Sequence, residues 1–172
     1  SNPLLGAVWA PTLAPPFRTA VLVAATVPVG AKASGPGAMA RSAMDNAMYA
    51  VNDDAAIAGA DLAWVRGGAT VQAEATLFQL ARVRGTGDAY KTNLTTGLYA
   101  GWPVRPWLAG GVELRYQRYL STPAAVAADA TLRDTLTVAI GLRTRIDLGG
   151  GRVLRPGLAY ARGLDDPMGG RG

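Results

Sequence analysis

The sequence predicts an all-β chain in which antiparallel strands run up and down to form a transmembrane β-barrel, with about eight strands visible in 172 residues. Three observations predict this class. Apolar and polar residues alternate along several segments, the connections between those segments alternate in length, and the tryptophans lie beside the shorter connections. Glycine (22 residues) and proline (11 residues) are abundant, which is typical of strands joined by turns.

Composition excludes several kinds of chemistry. The chain has no cysteine and no histidine, which removes disulfides, thiol chemistry, Ser-His-Asp catalysis and the commonest metal ligand. We therefore expect no enzyme activity, no metal and no cofactor. The net charge of +5 comes from basic residues that are spread singly, so no nucleic-acid partner is expected. The longest apolar stretch, residues 19–31, contains Pro28 and is shorter than the ~20 residues of a spanning helix.

Eight segments have the pattern of strands. In Leu108–Leu120, Val112 and Leu114 alternate with Glu113 and Arg115. Because successive side chains of a strand point to opposite faces, this segment has one apolar face and one polar face. Gln79 interrupts the alternation of its own segment and predicts a β-bulge there. The predicted strands are Leu4–Ala10, Arg18–Val29, Ile57–Arg66, Thr70–Arg84, Tyr90–Trp102, Leu108–Leu120, Asp134–Asp147 and Val153–Arg162.

The connections alternate between short and longer ones. Outer-membrane barrels have this asymmetry, with short periplasmic turns and longer outer loops. Several predicted strands are also ten to sixteen residues long, enough for the ~9–11 residues with which a tilted strand crosses a bilayer. We therefore predict one barrel domain over residues 1–172, with the lipid bilayer as its partner. The short connections centre on residues 14–17, 66–68, 103–106 and 148–151, and the others include 84–88, 121–130 and a long outer loop, 30–56.

The aromatic residues predict two bands, one at each membrane interface. The first band lies near the short turns and the second towards the opposite strand ends. The predicted girdle consists of Trp9, Trp64, Trp102 and Trp107 in the first band, and Tyr90, Tyr116 and Tyr160 in the second. In this orientation Val112 and Leu114 face lipid, whereas Glu113 and Arg115 face a polar lumen. A soluble barrel inverts the two faces, and alternation alone does not separate these alternatives.

Strand counting predicts that the barrel is incomplete at both ends. If the short turns are periplasmic, the first visible strand begins on the outer side and the last visible strand ends there. Bacterial outer-membrane chains usually begin and end in the periplasm with an even number of strands. We therefore expect a fragment of a ten- or twelve-stranded barrel, and the alternative is a complete eight-stranded barrel of unusual topology.

Two segments carry a resemblance to known proteins. The segment "RVLRPGLAYARGLDDPM" resembles the penultimate strand and final outer loop of Gram-negative outer-membrane β-barrel proteins of the transporter type. The segment "VLVAATVPVGAKASG" is similar to their passage from strand to loop, where a Pro-x-Gly ends the strand. The resemblance implies a β-barrel in the bacterial outer membrane and a porin-like transport role, and it does not identify a solute.

The predicted lumen face contains more cations than anions. Such a face favours anionic solutes, as rings of charge do in pores. The alternative is that these charges pair across strands and fill a narrow barrel. The predicted lumen residues are Glu74, Lys91, Glu113, Arg115, Arg143, Arg145 and Arg155, with Arg82 and Arg84 on the same segment as Glu74.

The sequence therefore predicts a passive outer-membrane channel for small solutes, with selectivity set by lumen charges and outer loops. Two alternatives stay open, namely a plugged structural or adhesive barrel and a soluble β-barrel that binds an apolar ligand. The Met-rich segment Met39–Val51 has spacings that permit a short helix, which could narrow the channel or form a solvated loop. The pairs Asp53–Asp54 and Asp165–Asp166 are interpreted as turn residues in preference to calcium ligands.

Overall fold

The structure is a computed structural model that describes residues 2–29, 50 and 52–165. It contains one eight-stranded antiparallel sheet and a separate two-stranded hairpin. The strands are β1 (Leu4–Trp9), β2 (Phe17–Thr26), β3 (Asp53–Arg66), β4 (Ala69–Arg82), β5 (Tyr90–Arg105), β6 (Leu108–Tyr119), β7 (Asp134–Thr144), β8 (Ile146–Gly149), β9 (Arg152–Leu154) and β10 (Gly157–Gly163).

The large sheet is a meander, which confirms the up-and-down arrangement expected from the sequence. Each strand from β1 to β7 pairs antiparallel with its neighbour in the chain, and β10 pairs with β7. The sheet is not closed into a barrel. Its edges are β1 and β10, which do not pair with each other in the described part of the chain. The closed barrel expected from the sequence is therefore not present in this structure.

Three strand details differ from the predictions. Strand β3 begins at Asp53 instead of Ile57, so the end of the predicted 30–56 loop belongs to the sheet, and residues 30–49 and 51 lie outside the described residues. The predicted strand Val153–Arg162 is divided into β9 and β10, because Pro156 has no backbone N–H to continue the ladder. The register of β4 runs without a shift through Gln79, and the irregularity lies at Pro103–Arg105 instead.

Gln79 fits a regular strand because its side chain finds a partner. Its Oε1 accepts a hydrogen bond of 2.6 Å from the hydroxyl of Thr92 on β5. This bond satisfies a polar group on an otherwise apolar face without any change of register. The predicted bulge at Gln79 was therefore wrong.

The two ends of the sheet differ in their connections. Residues 67–68 and 106–107 form tight turns at one end, which we call the short-turn end. Gly67 and Gly68 both have positive φ, as a two-residue hairpin turn requires. The opposite, long-loop end holds residues 120–133, where a helix not expected from the sequence, α1 (Ala124–Ala128), precedes a 3-10 turn. Asp129 starts that turn, and hydrogen bonds from Thr131 hold the pKa of its carboxyl below the usual value.

The two faces of the sheet differ sharply in polarity. One face, called the polar face below, carries Asp61, Glu74, Glu113, Arg115 and Thr137. The other, the apolar face, carries exposed large side chains on every strand of the sheet. They include Leu5, Trp9, Val21, Val23, Leu62, Val71, Leu77, Leu98, Leu114, Ile140, Leu142, Leu158 and Tyr160.

The buried residues lie mainly on the polar face. Ala55, Ile57 and Leu80 form a small apolar cluster there, close to the long-loop end. Asn93, Thr95 and Thr135 are buried on the same face. Strand β1 is an exception to the separation of faces, because its Leu4 and Val8 add exposed apolar side chains to the polar face. No helix among the described residues has the length and apolar character needed to cross a membrane.

Candidate functional site

The strand register brings five of the predicted lumen residues onto the polar face. Glu74 on β4 lies opposite Gly97 on β5, which in turn lies opposite Arg115 on β6. Glu113 and Arg143 share this face by their positions in β6 and β7. Lys91, opposite Leu80, also lies on it, at the long-loop end.

Two predicted lumen residues lie outside the large sheet. Arg145 follows β7, and its backbone N–H donates to the carbonyl of Trp107. Arg155 lies between β9 and β10, and both side chains are exposed. The chain leaves the sheet after Thr144, whose N–H bonds to Pro156, and the β8–β9 hairpin then projects beyond the short-turn end.

These positions change the charge balance inferred from the sequence. Asp61, Glu74 and Glu113 lie in the middle of the polar face together with the cation Arg115, and Arg143 lies on the same face towards the short-turn end. The basic residues Arg82 and Lys91 are paired with a buried carboxylate at the long-loop end. The mixed charges of the central region do not support the anion preference expected from the sequence.

A buried ion cluster closes the long-loop end of the polar face. Asp53 is 0 % exposed. Its Oδ1 lies 2.9 Å from Arg82 Nε, at an angle that is not that of a hydrogen bond, and its Oδ2 accepts a bond of 3.3 Å from Lys91 Nζ. Asn2 donates its side-chain amide to the carbonyls of Ala50 and Asp53. The turn role predicted for Asp53 is therefore wrong, because it is a strand residue that joins three strands by charge.

Neighbouring contacts hold both flanks of the long loop against this cluster. The backbone N–H groups of Val83 and Arg84 donate to the carbonyl of Asn52, at 3.0 and 3.2 Å. The guanidinium of Arg84 donates to the carbonyl of Pro28. The predicted Met39–Val51 helix, apart from Ala50, and Asp166 lie outside the described residues. Asp165, by contrast, accepts the backbone N–H of Leu136 and ties the end of β10 to β7.

Glycines make room for two large side chains on the polar face. A Cβ on Gly97 would lie 2.7 Å from Glu74 Oε1, and a Cβ on Gly111 would lie 2.7 Å from Tyr99 Oη. Gly101, Gly111 and Gly141 follow one another across β5, β6 and β7 in a single row. Tyr99 therefore lies flat over two glycines of this row. Sequence reasoning assigned it no role, although the spacing of the glycines around it was the available signal.

Replacing Gly111 with alanine is expected to lower the free energy of unfolding by about 1–3 kcal/mol, because the new methyl group meets the ring of Tyr99. Denaturant unfolding measures the change. Combining Gly111→Ala with Tyr99→Ala should cost less than the sum of the single variants. Gly110→Ala is the matched control, since its Cβ would meet nothing closer than 3.7 Å. Equal losses for the Gly110 and Gly111 variants would contradict the contact.

Two hollows lie on the polar face and share three side chains. One, of about 320 Å³, is lined by Gln72, Glu74, Gly97, Leu98, Tyr99, Glu113 and Arg143. The other, of about 300 Å³, extends over β6, β7 and β10, with Gly111, Gly141 and Gly157 among its lining residues. Tyr99, Glu113 and Arg143 border both hollows. A solute on this face would therefore meet charges of both signs.

Most of the predicted aromatic girdle lies on the apolar face. Trp9, Trp102, Tyr90 and Tyr160 are exposed there, Trp64 and Tyr116 are half-buried, and Trp107 lies in a tight turn. The tryptophans lie towards the short-turn end. Tyr160, opposite Ile140, lies nearer the middle of the sheet than the long-loop end, so its position differs from the band predicted for it.

The apolar face ends in a polar cluster towards the long loops. The hydroxyl of Tyr116 donates to Asp134 Oδ2 at 3.0 Å, and Arg118 Nη1 lies 3.3 Å from the same oxygen. Arg118 also donates to the Tyr116 hydroxyl at 3.2 Å. On β6 and β7, these three residues form the border of the exposed apolar surface at the long-loop end.

Comparison with known proteins finds no matching family model, no matching curated protein and no matching solved structure. Among the residues that the structure describes, no group of three or more acidic side chains is placed to hold a metal ion.

Proposed function

We propose that this sheet is part of a membrane-spanning β-barrel whose polar face lines a channel for small solutes. The observation that carries the proposal is the reversed polarity of the two faces. Large apolar side chains are exposed on one face, whereas the other face holds charged and amide side chains that are buried or half-buried, such as Asp53, Asn93 and Glu113. Lipid is the surrounding in which that arrangement is favourable.

The exposure of individual side chains supports lipid contact over a soluble barrel. Leu114, Ile140 and Leu158 are 41 %, 58 % and 79 % exposed, although they lie along neighbouring strands. A contiguous apolar surface of this extent is unusual on a soluble monomer. In a soluble barrel that binds an apolar ligand, these residues would face the interior. Instead, the face with the buried side chains is the polar face, where Asn93 is 0 % exposed.

The border of the apolar surface at the short-turn end runs obliquely across the strands. Trp9 on β1 lies opposite Val21, which lies opposite Ala60 on β3. Trp64 lies four residues further along β3. Gly101 on β5 lies opposite Thr70 on β4, which lies opposite Val65 on β3. Trp102, the residue after Gly101, is therefore level with the position after Val65. The tryptophans thus shift steadily towards the short-turn end.

The border of the apolar surface at the long-loop end shifts in the same direction. On β3 the first polar residue of the apolar face is Asp54. Arg118 on β6 lies opposite Leu94 on β5, and Leu94 lies opposite Leu77 on β4. Leu77 in turn lies opposite Ala58 on β3, so Arg118 is level with a position four residues beyond Asp54. Two parallel oblique borders describe a slab crossed by tilted strands, and barrel strands tilt by about 35–45°.

A membrane location also requires that both sheet edges be paired. Unsatisfied backbone groups at β1 and β10 would be costly in hydrocarbon, where no water is available. The proposal therefore includes closure, either of β1 with β10 or of each with further strands. The resemblance described above favours the outer membrane of a Gram-negative bacterium as the location.

A plugged barrel is the second candidate, and the ion cluster at Asp53 favours it. The cluster occupies the polar face at the long-loop end with buried side chains from β3, β4 and β5. A lumen filled at that level would block permeation and leave a structural role. Conductance separates the two candidates, because only an open lumen gives an ohmic current.

We expect the full-length protein to remain with detergent-extracted membranes and to give discrete conductance steps in planar bilayers. Replacing Arg115 and Arg143 together by glutamate should shift the reversal potential in a salt gradient towards cations, because both side chains lie on the polar face. The same change at Arg145 and Arg155 is the matched control, since both lie outside the large sheet.

Three outcomes would count against the proposal. Purification without detergent would remove the membrane location. Absence of current from correctly inserted protein would favour the plugged barrel. An equal shift of reversal potential in both double variants would contradict the assignment of the polar face to the lumen.

A further inference from the structure

We infer that the shared border of the two hollows is a subsite for small zwitterionic solutes that carry both an ammonium and a carboxylate group. The inference rests on the proposed channel function and specifies its solute class. Three side chains define the subsite, namely Tyr99, Glu113 and Arg143.

Within the part of the chain that the structure describes, the charges at this border have no partners. In the described residues no ion pair or hydrogen bond engages the side chain of Glu74, Glu113 or Arg143. Glu113 is half-buried, so its carboxylate is partly removed from water without compensation. All three side chains line a hollow that is open to a solute. The subsite therefore offers charges that a ligand can satisfy.

The register keeps the two signs of charge apart. Arg143 lies opposite Ala109, and Glu113 lies opposite Ala139, so they are offset by four residues along adjacent strands. That offset corresponds to about 14 Å between their backbone levels. The pair Gly111–Gly141 lies between them. The ring of Tyr99 covers Gly111, whereas no side chain of β5 or β6 lies against Gly141. A small molecule can therefore lie over Gly141, beside the Tyr99 ring, with one charged end near each residue.

The arrangement distinguishes solutes by their charges. Glu113, which borders both hollows, and Glu74, which borders the first, attract an ammonium group. Arg143 also borders both hollows and attracts a carboxylate. The hydroxyl of Tyr99 lies against Gly111 and can donate to that carboxylate. A solute with a single charge is repelled by one of the two poles, while a zwitterion is attracted by both. The volume of about 320 Å³ suits a small molecule.

Three probes with the same carbon chain test the inference, namely 4-aminobutyrate, butylamine and butyrate. Binding to the full-length protein in detergent micelles is measured by calorimetric titration, which does not depend on conduction. We expect 4-aminobutyrate to bind at least tenfold more tightly than either single-charge probe. Glu113→Gln and Arg143→Gln should each weaken its binding about tenfold or more, as loss of a charged hydrogen bond does.

The controls separate charge from fold. Arg155→Gln lies outside the sheet and should leave the affinity unchanged, and Arg143→Lys should retain most of it. If a glutamine variant loses its β-sheet circular dichroism, the preference of the unaltered protein among the three probes decides. Equal affinities for the three probes, or full affinity in both folded glutamine variants, would overturn the subsite.

The outcome is distinguishable from failure of the channel. Selective binding without current would overturn conduction and support the subsite. Current without any preference for 4-aminobutyrate would overturn the subsite and leave the channel.

Discussion

Replacing Asp53 with alanine is expected to lower the free energy of unfolding by about 3–5 kcal/mol, the usual loss when one partner of a buried ion pair is removed. Asp53 is fully buried, and the side chains of Arg82 and Lys91 are only 18 % and 9 % exposed. The alanine variant leaves two cations there without their carboxylate. Three strands, β3, β4 and β5, meet at this point, so the loss affects the long-loop end of the sheet.

Reversible denaturant unfolding in micelles measures the loss. Asp134→Ala is the matched control, because Asp134 also accepts from an arginine but the two side chains are 46 % and 39 % exposed, so little change is expected. Adding Lys91→Met to Asp53→Ala should recover part of the stability by removing one unpaired charge. The role of the cluster would be refuted by equal, small effects at Asp53 and Asp134.

The second large effect is expected at Leu114. Replacing it with arginine should destabilise the membrane-inserted protein by about 2–4 kcal/mol, the cost of a cation near the middle of a lipid-facing strand. Leu114 lies on the apolar face of β6, between Gly110 and the polar border at Arg118. In a soluble protein, an exposed leucine is replaced with an effect within about 0.5 kcal/mol. The two surroundings therefore predict different results for the same substitution.

Gln117→Arg is the control for this experiment. It places the same cation on the same strand, but on the polar face, opposite Thr95 and Thr135. Folding into lipid vesicles, followed by denaturant titration, should show a much smaller loss for Gln117→Arg than for Leu114→Arg. Similar stabilities for both variants in vesicles would contradict lipid contact at Leu114.

The strands could be predicted because their evidence is local. In β4, alternation between Val71 and Arg82 indicates a strand from adjacent residues alone, and the same holds for β6. The pairing of sheet edges has no such local signal, since it depends on residues far apart in the chain. The sequence therefore predicted the meander correctly, while the expectation of closure was not met.

The same distinction explains the outcome at the candidate site. The alternation of side chains along a strand predicted that Glu113 and Arg115 share one face, and the register places them there. The same alternation gave a wrong position for Arg145, because the chain leaves the sheet after Thr144, where Pro156 interrupts the partner strand. Asp53 was assigned to a turn in the predicted 30–56 loop, whereas its cationic partners come from two other strands. Such partners become visible only once the strands are paired.

The meander has a consequence for the order in which the chain folds. Hairpins such as β3–β4 and β5–β6 join strands through two-residue turns, so their closure costs little chain entropy. The β2–β3 pair must instead enclose residues 27–52, which makes it the slowest neighbouring pair to close. We therefore expect assembly to start among the central hairpins and to add β1 and β2 late.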